Sequence, residues 1–183
     1  TLDPLATGLL VLLIGSYTKK APELTKLDKV YEVTMKLGFI STTGDAEGKI
    51  TKISDVQPSP QEIAKNLQFY RGEIMQTPPA YSAIKVGGQR AYKLAREGKE
   101  VKIEPRKVTI HSITDVSYNY PTVTFTTEVS SGTYIRSLVQ DIGEKLGTGA
   151  YMSDLRRTKV GHYDIKNAMV MDSLTVEQIY NYT

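Results

Sequence analysis

The chain has 183 residues, 40% hydrophobic and 23% charged, with a formal net charge of +3; it is long enough to bury a real core and suits one domain, or one domain with an insertion. It has no cysteine and only two histidines, His111 and His162, which excludes disulfides, thiolate catalysis and cysteine metal sites and leaves little material for a histidine metal site or a serine–histidine triad. No apolar run reaches membrane-spanning length and nothing resembles a signal peptide, so a reducing, cytoplasmic setting and no membrane partner are expected.

The opening stretch Thr1-Leu2-Asp3-Pro4-Leu5-Ala6-Thr7-Gly8 runs into Leu9-Leu10-Val11-Leu12-Leu13-Ile14-Gly15. Proline fixes its own φ and pushes the residue before it into an extended conformation, so Asp3-Pro4 predicts a turn. The apolar run has the length of a buried strand. An acidic side chain is thus expected on a stiff loop at the mouth of a core strand; a turn aspartate capping neighbouring amides is the plainer alternative. Residues 16–24 predict a short helix with Ser16 as N-cap, bent or ended by Pro22. Residues 29–38 alternate, with Val30, Glu32 and Thr34 on one face and Tyr31, Val33, Met35 and Leu37 on the other, and predict a strand ended by Gly38. Ser41-Thr42-Thr43-Gly44-Asp45-Ala46-Glu47-Gly48 predicts a turn before a short strand near Ile50, since it lacks the later ligands of a calcium loop.

Ser59-Pro60 predicts a helix start, with Ile63, Leu67 and Tyr70 at helical spacing and Gly72 just beyond. From Lys85 to Lys107 eight basic residues stand against three acidic ones, in a window flanked by Pro79 and Pro105. Residues 89–97 within it predict a helix, and the window has the look of an insertion between core elements. Its positive charge fits a polyanionic partner, while i, i+4 pairs such as Lys93/Glu97 fit a solvated helix face equally well. Residues 107–118 and 121–129 predict an antiparallel hairpin. A helix with an apolar stripe of Ile135, Leu138, Val139, Ile142 and Leu146 follows from near Thr133. Residues 151–157 predict one or two further helical turns, then a short strand and a final helix from about Thr175. The order of elements predicts an α+β fold with a mixed, largely antiparallel sheet flanked by helices.

Five of these blocks together resemble the bacterial tRNA pseudouridine-55 synthases, the TruB family. Residues 1–8 resemble the segment that holds the family's catalytic aspartate, and Lys29-Val30-Tyr31-Glu32-Val33 the motif with its active-site tyrosine. Pro78-Pro79-Ala80-Tyr81-Ser82-Ala83-Ile84-Lys85 with Ala91-Tyr92-Lys93-Leu94-Ala95-Arg96-Glu97-Gly98 resembles the RNA-gripping thumb. Ser131-Gly132-Thr133-Tyr134-Ile135-Arg136 resembles the motif with the arginine partner of the aspartate, and Leu155-Arg156-Arg157 a late motif of the base pocket. The resemblance implies the pseudouridine synthase fold over 1–183, with 79–105 as a thumb-like RNA-binding insertion. It also leads to the expectation of a catalytic domain without the family's upstream Gly-His-x-Gly segment and its C-terminal RNA-binding barrel, the PUA domain.

What the resemblance implies for function is isomerisation of the T-loop uridine of tRNA, position 55, to pseudouridine. No metal or cofactor is expected, the T-stem-loop of tRNA is the expected partner, and a monomer without an obligatory protein partner is expected. Asp3 acts at the ribose, either attacking the anomeric carbon or removing the neighbouring C2′ proton; a carboxylate serves either role, and the residues do not choose. Arg136 pairs with Asp3, expected as a bidentate contact, while Tyr31 stacks on the base and serves as a base in the final proton loss. Tyr134, Ile135 and Leu155 wall the base pocket. Lys85, Arg90, Arg96, Arg156, Arg157 and Lys159 are candidate phosphate contacts. Two rival readings remain at this point. One is a non-catalytic RNA-binding or tRNA-folding protein, which needs the basic thumb but no Asp3–Arg136 pair. The other is a glycoside hydrolase, which calls for a second carboxylate across the bond.

Overall fold

The computed structural model describes residues 2–171. In chain order the elements are β1 (Thr7–Gly8), a 3-10 turn (Gly15–Lys20), α1 (Ala21–Thr25), β2 (Lys29–Leu37), β3 (Phe39–Ser41), β4 (Ile50–Lys52), α2 (Pro60–Phe69), β5 (Gly72–Gln76), β6 (Lys85–Val86), β7 (Gln89–Arg90), α3 (Ala91–Arg96), β8 (Arg106–Asn119), β9 (Thr122–Val129), α4 (Ile135–Lys145), β10 (Ala150–Val160) and β11 (Tyr163–Asp164). The main sheet runs β1-β10-β2-β9-β8-β5, with β11 paired to β10. Only β1 and β10 pair in parallel; every other pairing in this sheet is antiparallel. The α+β, mixed and largely antiparallel architecture read from the sequence is the one observed.

Alternation along β2 decides which face is buried. Val33, Met35 and Leu37 point to the side covered by Ile63 and Leu67 of α2 and by Leu138, Val139 and Ile142 of α4, and these residues share one apolar cluster. The opposite face carries Glu32, Thr34, Thr124 and Thr126, half-buried or exposed. α2 begins as predicted, on a capping box: the Ser59 hydroxyl accepts from the Glu62 amide, and the Glu62 carboxylate accepts from the Ser59 amide at 2.6 Å. Gly143 lets α4 lie directly on β10, because a Cβ there would overlap the backbone of Gly149 and Ala150.

Several expectations are overturned. The apolar run after Gly8 is not a buried strand. Pairing stops after Gly8, and Leu10, Leu12 (64% exposed) and Ile14 stand out from the surface. Length and hydrophobicity alone cannot assign a strand when, beyond Leu9, no neighbouring strand pairs with the run among the described residues. Pro22 does not end a helix: it sits in the first turn of α1, where its missing N–H costs nothing, and Ser16 lies inside the preceding 3-10 turn rather than at a cap. Residues 151–157, expected as helix, belong to β10, which joins β1 to β2. Two register shifts, between Met152 and Asp154 and between Arg157 and Lys159, break the period-two pattern that would have marked a strand. β5, the edge strand beside β8, is not predicted from the sequence, and α3 starts at Ala91 because Gln89 and Arg90 belong to a small hairpin. The expected helix from Thr175 lies outside the described residues. Among the described residues no helix is long and apolar enough to cross a membrane.

On α4, burial raises the carboxyl of Asp141 to about 6, with the nearby charge of Glu144 adding to the effect. Folding therefore favours the protonated form, and this stability contribution is full below the ordinary carboxylate range and lost as pH rises through about 6. Asp141→Asn should raise the melting temperature at pH 7 by a few degrees, roughly the effect of 1 kcal/mol in a domain of this size, and the gain should vanish near pH 4. Thermal denaturation of both proteins at the two pH values checks this.

Candidate active site

Asp3 is held by a turn and a clamp. Its carbonyl accepts from the Ala6 amide at 2.9 Å, closing a turn with Pro4 at its second position. Beyond the turn, Thr7 and Gly8 pair with Arg156 and Arg157 of β10. Gly8 has φ +100, and a Cβ there would overlap the Arg157 backbone, so the loop crosses β10 at a distance only glycine permits. Leu9 completes the clamp: its amide donates to the Arg157 carbonyl at 2.7 Å, and its carbonyl accepts from Arg157 Nε at 2.9 Å. Arg157 is 6% exposed and also hydrogen-bonds the side chain of Tyr31. It is an internal strut, and its expected role as a phosphate contact is corrected.

Arg136 approaches Asp3 from the first turn of α4. Its position is set by Gln76, whose buried side-chain amide accepts from the Tyr134 amide at 2.8 Å and donates to the Tyr134 carbonyl at 3.1 Å. The Ser137 hydroxyl adds a bond to the Thr77 carbonyl at 2.8 Å. The end of β5 thereby fixes the start of α4.

The guanidinium of Arg136 is 6% exposed and reaches four separate groups. Nε lies 3.0 Å from Asp3 Oδ2, placed for ion pairing but not aligned as a hydrogen bond. Nη1 lies 3.4 Å from Asp45 Oδ2 and donates to the Thr43 carbonyl at 3.1 Å, while Nη2 donates to the Tyr81 carbonyl at 2.9 Å. The expected bidentate fork on Asp3 is corrected to a hub: one contact goes to Asp3, and the others hold the β3–β4 turn and the segment leading into the β6–β7 hairpin.

Asp45, which the sequence reading treated as an ordinary turn residue, is 2% exposed. Its Oδ1 accepts from the Thr43 hydroxyl and from the Glu47 amide. Hydroxyls at Thr42 and Thr43 ahead of an aspartate were a visible signal of side chain–backbone turn bonding, but nothing in the pattern pointed to an arginine more than ninety residues away.

These groups face a cleft of about 660 Å³, within the usual range for ligand pockets. Asp3, Tyr31, Arg136, Tyr134, Ile135, Leu155 and Arg96 all line it, so the three expected catalytic residues and the three expected wall residues converge. Arg96 stands over the Tyr92 ring, 5.6 Å from its centroid. Tyr31 is half-buried in the cleft wall; burial pushes its phenol above the ordinary tyrosine range, and the guanidinium of Arg157 offsets this in part. It is therefore a neutral phenol at neutral pH.

The remaining basic residues are distributed differently. Lys85 and Arg90 pair with each other on the exposed β6–β7 hairpin. Arg156 and Lys159 lie beside Glu32 and Val30 of β2, on the sheet face away from Tyr31 and Leu155. Each contacts an acid, Arg156 reaching Glu32 at 3.8 Å and Lys159 reaching Asp164 at 3.3 Å. Among the described residues no group of three metal-ligating side chains is present.

Residues 1–135 match the TruB family pseudouridylate synthase N-terminal domain, and residues 136–182 match the tRNA pseudouridylate synthase B C-terminal domain. The chain is similar to the tRNA pseudouridine synthase B of Burkholderia mallei (strain NCTC 10247), 47% identical over 174 residues, covering 95% of this chain and 58% of the relative. It is likewise similar to that of Clostridium tetani, 44% identical over 183 residues and covering 63% of the relative. The chain thus spans about three fifths of the length of these relatives. Among solved structures it is similar to a chain of a Cbf5–Nop10–Gar1 complex, with TM-score 0.73, 27% identity, and coverage of 99% of this chain and 44% of that one. A further likeness, with TM-score 0.62 and 26% identity, is to an H/ACA RNP bound to a substrate RNA containing 2′-deoxyuridine.

Arg136→Lys keeps the charge, but one ammonium cannot serve two carboxylates and two carbonyls in different directions. We expect a stability loss on the order of 2–4 kcal/mol and faster amide hydrogen exchange over residues 43–47 and 81–83. Exchange in those segments equal to that of the parent protein would show that Arg136 does not hold them.

Proposed function

Because the chain belongs to the TruB family of pseudouridylate synthases, we propose that it isomerises the T-loop uridine of tRNA, position 55, to pseudouridine. The observation that carries this reading is the Asp3–Arg136 pair inside a cleft that also holds Tyr31. The reaction breaks the bond between C1′ and N1, turns the base, and joins C1′ to C5. The hydrogen on C5 leaves as a proton and N1 takes one up, so no oxidant or reductant is consumed.

Each residue has a part consistent with its placement. Asp3 acts at the ribose, and Arg136 fixes the direction of its carboxylate and stabilises its charge. Tyr31 offers a ring on which an extruded uracil stacks, a common device where proteins hold a base outside its helix. Its neutral phenol supports stacking more than it supports proton abstraction. Tyr134, Ile135 and Leu155 supply the apolar wall. Lys85, Arg90 and Arg96, on the excursion between paired strands β5 and β8, face the RNA backbone and set affinity more than sequence choice. A tRNA substrate in a chain without cysteine fits a cytoplasmic setting.

Glycoside hydrolysis fits less well. Asp45, which shares Arg136 with Asp3, has both its oxygens occupied by Arg136, Thr43 and the Glu47 amide, so it is not free to protonate a leaving group, and the other carboxylate of the cleft lining, Glu47, is exposed to solvent.

With unmodified tRNA tritiated at uracil C5, the protein should release label to water while Asp3→Asn releases none. Label retained with the parent protein would overturn the reading, and free uracil would indicate hydrolysis. For tRNA binding, Lys85, Arg90 and Arg96 all changed to Gln should flatten the plot of log affinity against log salt by about two units, from a contribution of roughly 0.7–0.9 per phosphate contact. An unchanged slope would show that the hairpin and α3 do not touch the RNA.

A further inference from the structure

We propose that Ser82 is a substrate-contacting residue whose hydroxyl is held in reserve for an oxygen of the extruded nucleotide; the inference rests on the pseudouridine synthase reading for the identity of that nucleotide. Ser82 is 5% exposed and belongs to the wall of the cleft, yet its Oγ has no hydrogen-bond partner in the protein. Burying a hydroxyl unpaired is unfavourable, and such groups are few in folded proteins. Among the described residues only three buried side-chain atoms are in this condition: Asn66 Oδ1 on α2, Arg136 Nε, which faces Asp3 across 3.0 Å, and Ser82 Oγ. Two of the three therefore lie at the cleft.

The backbone around Ser82 gives the hydroxyl little freedom to find another partner. The Tyr81 carbonyl is taken by Arg136 Nη2 at 2.9 Å, the Ser82 carbonyl by the Tyr92 amide at 3.0 Å, and the Ile84 carbonyl by the Ala91 amide at 2.7 Å. The segment is pinned on one side to the arginine that pairs with Asp3 and on the other to α3. The hydroxyl hydrogen of serine rotates freely about the Cβ–Oγ bond, and a change of χ1 rotamer moves Oγ without breaking these three backbone bonds. A nucleotide entering the cleft brings ribose, carbonyl and phosphate oxygens, each able to accept from it. The group left unpaired in the free protein gains its partner only in the complex, so the interaction favours binding by more than an ordinary exchange with water would.

This differs from a structural role in a way that can be measured. Ser82→Ala should leave the melting temperature unchanged or raise it, because it removes an unpaired polar group. It should also weaken binding of a T-stem-loop RNA by about 5- to 30-fold, the range expected for one hydrogen bond to a buried group. Ser82→Cys, of similar volume and with a weak donor, should fall between the two. A Ser82→Ala protein that melts lower or fails to fold, or that binds RNA as the parent does, would overturn the proposal.

RNA with 2′-deoxyuridine at the target position separates the possible acceptors. If the ribose hydroxyl is the partner, the serine and 2′-hydroxyl losses will not add; if they add, the partner is a base or phosphate oxygen. Because the readout is binding, it is independent of turnover. Protein that binds RNA through Ser82 but releases no tritium would sink the catalytic reading alone.

Discussion

A guanidinium cannot be taken out of water without partners, and that constraint shapes the centre of this molecule. Arg136 is buried at the foot of α4, and its charge is met by Asp3 from the first turn, by Asp45 and the Thr43 carbonyl from the β3–β4 turn, and by the Tyr81 carbonyl from the segment before β6. Three segments distant in sequence are drawn to one side chain. The apolar cluster beneath the sheet gives the domain its bulk stability, but the site is assembled by this charge. Two acids share one arginine and both line the cleft, but the side chain of Asp3 is 38% exposed and that of Asp45 3%. An uneven division of contacts of this kind keeps one carboxylate available while the other is committed to structure.

β10 is the second organising element. It pairs with β1 on one side and β2 on the other, so it places the loop of Asp3 and the strand of Tyr31 against a common neighbour. Arg157 joins the two from within, bonding the Leu9 carbonyl and the Tyr31 side chain. Reading it as a surface cation was reasonable from sequence, since arginine is rarely buried unless paired, and its partners here are a backbone carbonyl and a phenol that no spacing rule connects. The same strand shows why local pattern failed: two bulges shift its phase, so Ala150, Tyr151, Met152, Leu155 and Val160 keep no single period.

What was legible in the sequence follows a physical division. Elements whose signal is local were read correctly: the helix start at Ser59-Pro60, the alternation of β2, the β8–β9 hairpin and the apolar stripe of α4. Elements defined by their neighbours were not. The run after Gly8 carries the composition of a strand but leaves the sheet after Leu9, and β5 becomes a strand through its pairing with β8. The cleft divides in the same way. Asp3, Tyr31 and Arg136 came from motif resemblance and converge, whereas Asp45 and Gln76 are turn or strand-end residues whose importance appears only when the chain folds back on itself.

The most direct test of Arg136 as the hub is a mutant cycle read by the single-turnover rate of the proposed pseudouridine formation in tRNA, using Asp45→Asn, Arg136→Lys and the double variant. If Asp45 serves the reaction only by holding Arg136, the double variant should be no slower than the slower of the two single variants. Rate losses that multiply in the double variant would show that the two residues act separately, and would contradict a site organised through one arginine.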